Sequence, residues 1–489
     1  MFNKNKNKRF LIYILFFFNL FVSDLLFTDK ILFISKILLL LSYLSFEIIQ
    51  FRKYNSENWF LSPVVLASLF TFALSFSITN LVYFIPSHIS YKYIYNILGP
   101  EPFPYLNKAM NYISLAAFFM WFGYRLKLGN RLFYFLTNNS IIRKSFLKRS
   151  DELRINIMIF LFLISIIARI IQIQLGLYGY AGDPESREIY GGIWNILYMI
   201  GSLGTLILIV SSLNYFNKGT KKLLFIISFI VELSFGLLSG MKSEIMLPFF
   251  IIGFTYYIAR KRFNKAIISF AIVSIIIAYI IVEPFRILRM TDKRFSSDPI
   301  TIVSTLVDSY EMNKRTKLVD EQSFDIIILQ FLSRLEYTLT TARAIQYKDQ
   351  VGLDTRAQDF KERLLTVPLQ AYIPRAIWSD KPLEDSGRWY SVYVWGSVET
   401  SSVAYSPIGF AYFAGGVIPL VIIFILIGIL QKTLFNFLKA GSGGIIIYFG
   451  LLLSVVLIDS KVNTIFVTWL RNLPVLFLLQ SWIYKKWKK

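Results

Sequence analysis

Residues 153–175 read LRINIMIFLFLISIIARIIQIQL, an apolar run in which Arg154 and Arg169 are the only charges. About 20 such residues in a helix cross the hydrocarbon of a bilayer, so the stretch is predicted to be a membrane span. Similar runs lie at 10–27, 30–51, 59–85, 109–125, 193–214, 222–240, 244–259, 264–283, 404–430, 444–460 and 462–484. Together they predict an all-α polytopic membrane protein of about 12 transmembrane helices. Spans one to nine form a membrane bundle over 1–283, a long outward loop covers 284–403, and spans ten to twelve form a second bundle over 404–489. The first run follows Lys4, Lys6, Lys8 and Arg9 as a signal peptide would. It has no small-x-small cleavage site and a second run follows at once, so it reads as a retained anchor.

Composition points the same way. A hydrophobic fraction of 55% over 489 residues exceeds what a soluble surface tolerates, which excludes a soluble globular domain. With no cysteine there is no disulfide framework, thiol nucleophile or cysteine metal site. His88 is the only histidine, so multi-histidine zinc sites also fall away and any metal would rest on carboxylates. No metal and no cofactor is expected.

The formal net charge of +22 would indicate nucleic acid in a soluble protein, but its location gives it another meaning. Segments 1–9, 52–58, 125–154, 215–222, 260–265, 431–443 and 485–489 hold 27 basic residues against Glu57, Asp151 and Glu152. Lysine and arginine beside span ends are retained on the cytoplasmic side, which predicts that these segments and both termini are cytoplasmic. The charge is then a topology signal and nucleic acid is not an expected partner. The loop 284–403 is balanced, with 16 basic and 16 acidic residues.

The longer outward loops are 86–108, 176–192 and 284–403. Within the last, Phe324, Ile327, Ile328, Phe331, Leu332, Leu335 and Leu339 recur at helical spacing, with Arg334, Glu336 and Arg343 off the stripe. The pattern predicts an amphipathic helix lying in the interface or packed on the bundle. The hairpin Ser239–Glu244, SGMKSE, combines small residues with Lys242, a point charge for an anion. It reads equally as a tight turn whose Lys242 and Glu244 pair. Loop 176–192 carries Arg187 and Tyr190 among glycines, a segment able to fold over a sugar or phosphate, or an ordinary solvated tip. Arg286 and Arg289 stand three apart after span nine and share a helical face that can grip a pyrophosphate, the alternative being snorkelling side chains. In 372–382, YIPRAIWSDKP, two prolines set the backbone around Arg375 and Lys381, and Trp378 offers a face to a sugar ring. Charges deep in spans include Arg169, Glu232 and Arg471, the last expected to face the bundle interior.

The SGMKSE hairpin, the Ile-Pro-Arg-x-x-Trp-x-x-Lys-Pro stretch at 373–382, and Ser406-Pro407-Ile408-Gly409 ahead of Gly415-Gly416 occur in a chain of many spans with a late outward loop. This order resembles the Wzy-type polymerases, the repeat-unit polymerases of O-antigen, capsule and related surface polysaccharides. Lys242 stands where that family frequently has arginine. The resemblance implies a metal-independent glycosyltransferase at the outer face of the bacterial inner (cytoplasmic) membrane. Its substrate would be undecaprenyl-diphosphate-linked oligosaccharide, its surroundings the lipid bilayer, and a chain-length regulator a further partner. Arg286, Arg289, Arg375 and Lys242 would stabilise the diphosphate leaving group, with Arg187 and Tyr190 positioning donor or acceptor. Glu399 would orient or deprotonate the acceptor hydroxyl, with Glu188 and His88 behind it. Trp378, Lys381 and Arg471 would complete the substrate contacts. An O-antigen ligase uses the same donor with a different acceptor. A non-enzymatic lipid-linked oligosaccharide flippase would carry two similar halves, and none is visible here.

Overall fold

The computed structural model describes Tyr13 and residues 29–55, 58–84, 94–138, 149–179, 191–262, 264–265, 269, 272–273, 335–352, 355–373, 377–378, 381, 386–396, 406–441, 444–456 and 462–486. Its helices in chain order are α1 (Asp29–Tyr54), α2 (Pro63–Phe84), α3 (Phe103–Arg125), α4 (Leu128–Asn138), α5 (Ile155–Gln174), α6 (Gly191–Gly201), α7 (Leu203–Lys218), α8 (Lys222–Ser239) and α9 (Lys242–Arg260). Then follow α10 (Thr338–Val351), α11 (Thr355–Leu365), α12 (Val367–Tyr372), α13 (Pro407–Gly415), α14 (Val417–Lys439), α15 (Ile445–Val456) and α16 (Val462–Ile483).

Among the described residues seven helices are long and apolar enough to cross a membrane: α1, α2, α5, Ile196–Lys218, α8, α14 and α16. Their surfaces are inverted relative to a soluble protein. Ile49 is 65% exposed, and Leu223 and Ile418 are each 72% exposed, whereas Lys36, Glu47, Arg169 and Glu232 are buried. Large apolar side chains turned outward over such an area require lipid as their solvent, so the chain is a helical membrane protein. The runs expected at 109–125, 244–259 and 444–460 are the helices α3, α9 and α15, which are not among the seven. The run at 10–27, Tyr13 apart, and most of 264–283 lie outside the described residues.

Two boundaries differ from expectation. Span ten, expected at 404–430, is split: α13 ends at Gly415, Gly416 takes φ 81°, and the long helix runs instead over Val417–Lys439. A left-handed residue ends a helix whatever the hydropathy on either side, so the segment 431–443 expected beyond the span is largely the last turns of α14. The second difference is a two-stranded antiparallel ribbon of β1 (Arg149–Leu153) and β2 (Tyr484–Lys486), with Arg149 opposite Lys486 and Leu153 opposite Tyr484. The ends of α5 and α16 emerge side by side there, and pairing satisfies backbone groups that water or lipid headgroups would otherwise have to meet.

The chain divides into two compact units. The first comprises Met1–Ser140, Phe324–Gly441 and Leu451–Val475. Its centre is the crossing of α3 on α14, where Gly123 and Gly428 let the two backbones touch. Beside it α2 departs from α-helical geometry, being π-helical over Ala67–Ser75 and 3₁₀ over Ile78–Phe84. The hydroxyls of Ser77 and Thr79 fill the displaced carbonyls of Phe72 (2.8 Å) and Leu74 (3.0 Å), which is how an irregular turn survives in an apolar helix. The second unit comprises Ile141–Ser323, Ser442–Gly450 and Leu476–Lys489. Its core is α5 with α7, and α7 with the hairpin of α8 and α9.

Candidate functional site

In the second unit the chemistry gathers around a buried ion pair. Arg169 of α5 meets Glu232 of α8 with both terminal nitrogens, at 2.7 and 2.9 Å, and Thr205 of α7 donates to Glu232 Oε2 at 2.7 Å. A fork-to-fork pair of this kind is the geometry in which two charges tolerate a low-dielectric interior. The Arg169 guanidinium lies 5.0 Å from the centre of the Phe235 ring. Glu244, in the first turn of α9, stands within electrostatic range of both partners.

Above this pair the hairpin turns tightly. Gly240 is left-handed (φ 63°), and the Ser239 hydroxyl accepts from the Met241 amide at 3.1 Å. Lys242 is half-buried at the start of α9. The root of loop 176–192 is seated on this hairpin: the Tyr178 hydroxyl donates to the Phe235 carbonyl at 3.0 Å, and a Cβ on Gly179 would lie 2.3 Å from the Ser239 carbonyl oxygen. Two stretches singled out separately in sequence thus meet. Arg187 and Tyr190, later in that loop, lie outside the described residues, as do Glu188, His88, Arg286, Arg289, Arg375 and Glu399.

In the first unit the described part of the distinctive 372–382 stretch is tied to α16. Pro474 has no amide hydrogen, which orphans the carbonyl of Leu470 one turn earlier, and the Tyr372 hydroxyl donates to that oxygen at 2.8 Å. Gln370 of α12 accepts from Asn463 of α16 at 3.4 Å. The stretch then closes on itself, because the Lys381 ammonium donates to the Ile373 carbonyl at 2.9 Å and the Lys381 amide to the Trp378 carbonyl at 3.1 Å. Trp378 is half-buried beside this closure. Arg471 does not face the bundle interior as expected. It is exposed, as are Pro474 and Leu478 three and seven residues further on, while in the first turns of α16 Asn463, Ile465, Val467 and Trp469 are buried. A long guanidinium stem can cover apolar surface and carry its head to the interface, so burial is not the only way to keep the charge from lipid.

The amphipathic helix expected around Phe324–Leu339 is seen only in its later part, residues before Leu335 lying outside the described ones. That part, α10, packs on the bundle against α3 and α13. Glu336 was expected off the apolar stripe and is instead buried, 7% exposed, where the chain docks on the irregular part of α2: the Tyr337 amide donates to the Ser75 carbonyl at 3.2 Å. The Glu336 carboxylate accepts from the Leu339 amide at 2.9 Å and so caps α10. Burial pushes its pKa up to about 7, against the opposing pull of Tyr83, Leu339 and Thr338. Sequence reasoning placed this residue on the polar side of the helix and gave it no further role. A glutamate three residues ahead of Leu339, at the entry to a threonine-rich helix, was the available signal.

A raised carboxyl pKa is a stability statement with a definite sign. Between the ordinary value of 4.5 and about 7 the unfolded chain loses this proton and the folded chain keeps it, so stability falls as pH rises through that window. The full cost is about 3 kcal/mol. Glu336→Gln is expected to flatten the decline of the thermal midpoint between pH 5 and 8 and to raise the midpoint at pH 8. Parallel curves for variant and wild type would remove Glu336 from this role.

At the end of α3 away from Arg125, Lys108 pairs with Asp349 at 2.5 Å, and the Tyr412 hydroxyl donates to the other oxygen of Asp349 at 2.9 Å. Lys348 donates to the Tyr412 carbonyl and stands 4.8 Å from its ring centre, and its burial pulls the ammonium pKa down. Asp349 thus pairs with Lys108, and Lys348 beside it is held by Tyr412. Among the described residues no group of three or more His, Asp or Glu side chains is placed to hold a metal ion.

The fold and these clusters define a helical membrane protein with charged groups held inside apolar bundles. No protein-family model, no curated protein and no solved structure matches the chain.

Proposed function

We propose that the protein is a polysaccharide repeat-unit polymerase, a metal-independent glycosyltransferase of about 12 spans with both termini cytoplasmic. It works at the outer face of a bacterial inner membrane on undecaprenyl-diphosphate-linked oligosaccharide. The acceptor hydroxyl of a new lipid-linked repeat unit attacks the anomeric carbon of the growing chain, the bond from that carbon to the diphosphate breaks, and undecaprenyl diphosphate leaves. The hydroxyl proton passes to a carboxylate, which we assign to Glu399. Arg286, Arg289, Arg375 and Lys242 meet the charge that grows on the diphosphate, a task cations at the lipid boundary perform without a metal. Arg187, Tyr190, Trp378, Lys381 and Arg471 hold donor and acceptor.

The observation that carries this reading is the seating of Tyr178 and Gly179 on Phe235 and Ser239, which brings the root of the Arg187-bearing loop onto the Lys242-bearing hairpin.

A strain lacking the protein, with its lipid-linked and surface glycan run on a gel, is expected to show single repeat units on the final carrier in place of ladders. Polymer accumulating on undecaprenyl diphosphate would make the protein a ligase, and repeat units trapped on the cytoplasmic side a flippase. In the complemented strain Arg375→Ala and Arg286→Ala are each expected to abolish polymer at normal protein level. Full-length polymer in both would overturn the site assignment.

A further inference from the structure

A cleft of about 250 Å³ opens in the first unit where the last turns of α1, α3 and α14 meet. Trp121 and Tyr124 form aromatic wall, and Arg125, Lys127 and Lys432 bring three cations to it. The charges are not equivalent. Arg125 is held by the buried carboxylate of Glu47 and by the Tyr13 hydroxyl, so that pair is neutral. Lys432 is half-buried with its ammonium 4.9 Å from the Tyr124 ring centre, Lys127 is exposed at the rim, and among the described residues no carboxylate lines the cleft. Among the described residues neither lysine has an acidic partner. Among the described residues the half-buried Lys432 ammonium on the aromatic wall, with the Lys127 charge at the rim, is met by no carboxylate, and an anion from outside the chain would answer both charges.

The mouth of the cleft indicates which anion. Helix α4 starts there and is pinned along α14: the Thr433 hydroxyl donates to the Gly129 carbonyl at 3.1 Å, the Asn436 amide to Asn130 Oδ1 at 2.9 Å, and the Phe133 ring meets Phe437 edge-on at 5.0 Å. Its other side leaves Leu128, Tyr134 and Phe135 exposed, the last by 77%. A short helix with aromatic and aliphatic side chains turned out beside cations has the form of an interfacial helix, with acyl chains against the apolar side and headgroups at the charges. Positive charge at the ends of α1, α3 and α14 is also what assigns this end to the cytoplasmic leaflet, where anionic lipids add to the attraction.

We propose that this cleft binds a phosphate group, and that its source is the headgroup of an anionic phospholipid of the cytoplasmic leaflet. The site stands apart from the proposed transferase chemistry and does not depend on it.

The test uses the full-length protein in detergent, with retention of phosphatidylglycerol against phosphatidylcholine read by native mass spectrometry and the thermal midpoint read with and without inorganic phosphate. Lys127→Gln and Lys432→Gln are each expected to weaken phosphatidylglycerol retention about fivefold, while Lys222→Gln, at the start of α8, leaves it unchanged. Retention unchanged in both cleft variants, together with loss of a phosphate-induced rise in the midpoint, would keep the site and make soluble phosphate its source. If neither readout moves, or if Lys222→Gln lowers retention equally, the proposal fails. Should Lys432→Gln lower the midpoint without ligand, the exposed Lys127→Gln decides alone.

Discussion

Arg169→Met is expected to cost about 3–5 kcal/mol, because it leaves the carboxylate of Glu232 buried without its counter-charge. The side chains of the pair are 8% and 5% exposed, so water cannot take the place of the missing partner. Thr205 would remain as a donor to Glu232 Oε2, and one neutral hydroxyl at 2.7 Å does not replace two charged nitrogens. The carboxylate already sits in the space left by Gly204 of α7, where an added Cβ would stand 2.3 Å from Glu232 Oε1. Glu232→Leu is expected to cost a similar amount by stranding the guanidinium. The double variant Arg169→Met/Glu232→Leu is then expected to recover most of the loss, as apolar replacement of a whole buried pair commonly does. Thermal unfolding of the four proteins in detergent completes the cycle, and simple addition of the two losses would mean that the pair is not a coupled unit. The recovered double variant also tells what the pair is for. Under the proposed polymerase function, normal polymer from it makes the pair a structural device, and a folded protein without polymer places it in the working site.

Gly428→Ala is expected to destabilise the first unit although alanine is favoured over glycine in a helix by about 1 kcal/mol. The added Cβ would lie 2.1 Å from the Met120 carbonyl oxygen and 2.6 Å from the Tyr124 amide nitrogen, and at Gly123 it would lie 2.1 Å from the Ile425 carbonyl oxygen. All these neighbours are backbone, so no change of rotamer relieves the clash and the helices must separate. Separation opens the buried seam around Trp121, Phe424 and Phe435, at a cost of about 1–3 kcal/mol for one methyl group and more for larger ones. Gly428→Leu is expected to yield no monodisperse protein on size-exclusion chromatography. A variant with a higher thermal midpoint would show that the helices do not touch there.

The glycine crossing and the ion pair mark where sequence reading stops. Gly123 and Gly428 stand more than 300 positions apart and Arg169 and Glu232 stand 63 apart. Each was visible as a residue type, glycine in a span or charge in a span, but nothing local states its partner. The same holds for the site. The 176–192 loop and the 239–244 hairpin were legible as separate polar features at helix ends, and their junction through Tyr178 and Gly179 was not. Of the residues assigned roles from sequence, Lys242, Trp378, Lys381 and Arg471 lie among the described residues, and Arg471 faces the other way from expectation.

What the sequence by itself determined is the membrane class and the approximate course of α1, α2, α5, α8 and α16. A run of apolar residues long enough to cross hydrocarbon must satisfy its own backbone, and that requirement is local, so it is written in composition over about 20 residues. Only the tertiary structure decided which side of each helix is buried, where Gly416 breaks the apolar stretch before α14, and which carboxylate meets Arg169. Lipid and a packed interior are almost equally apolar, so hydropathy separates membrane from water but cannot separate the outside of a bundle from its inside.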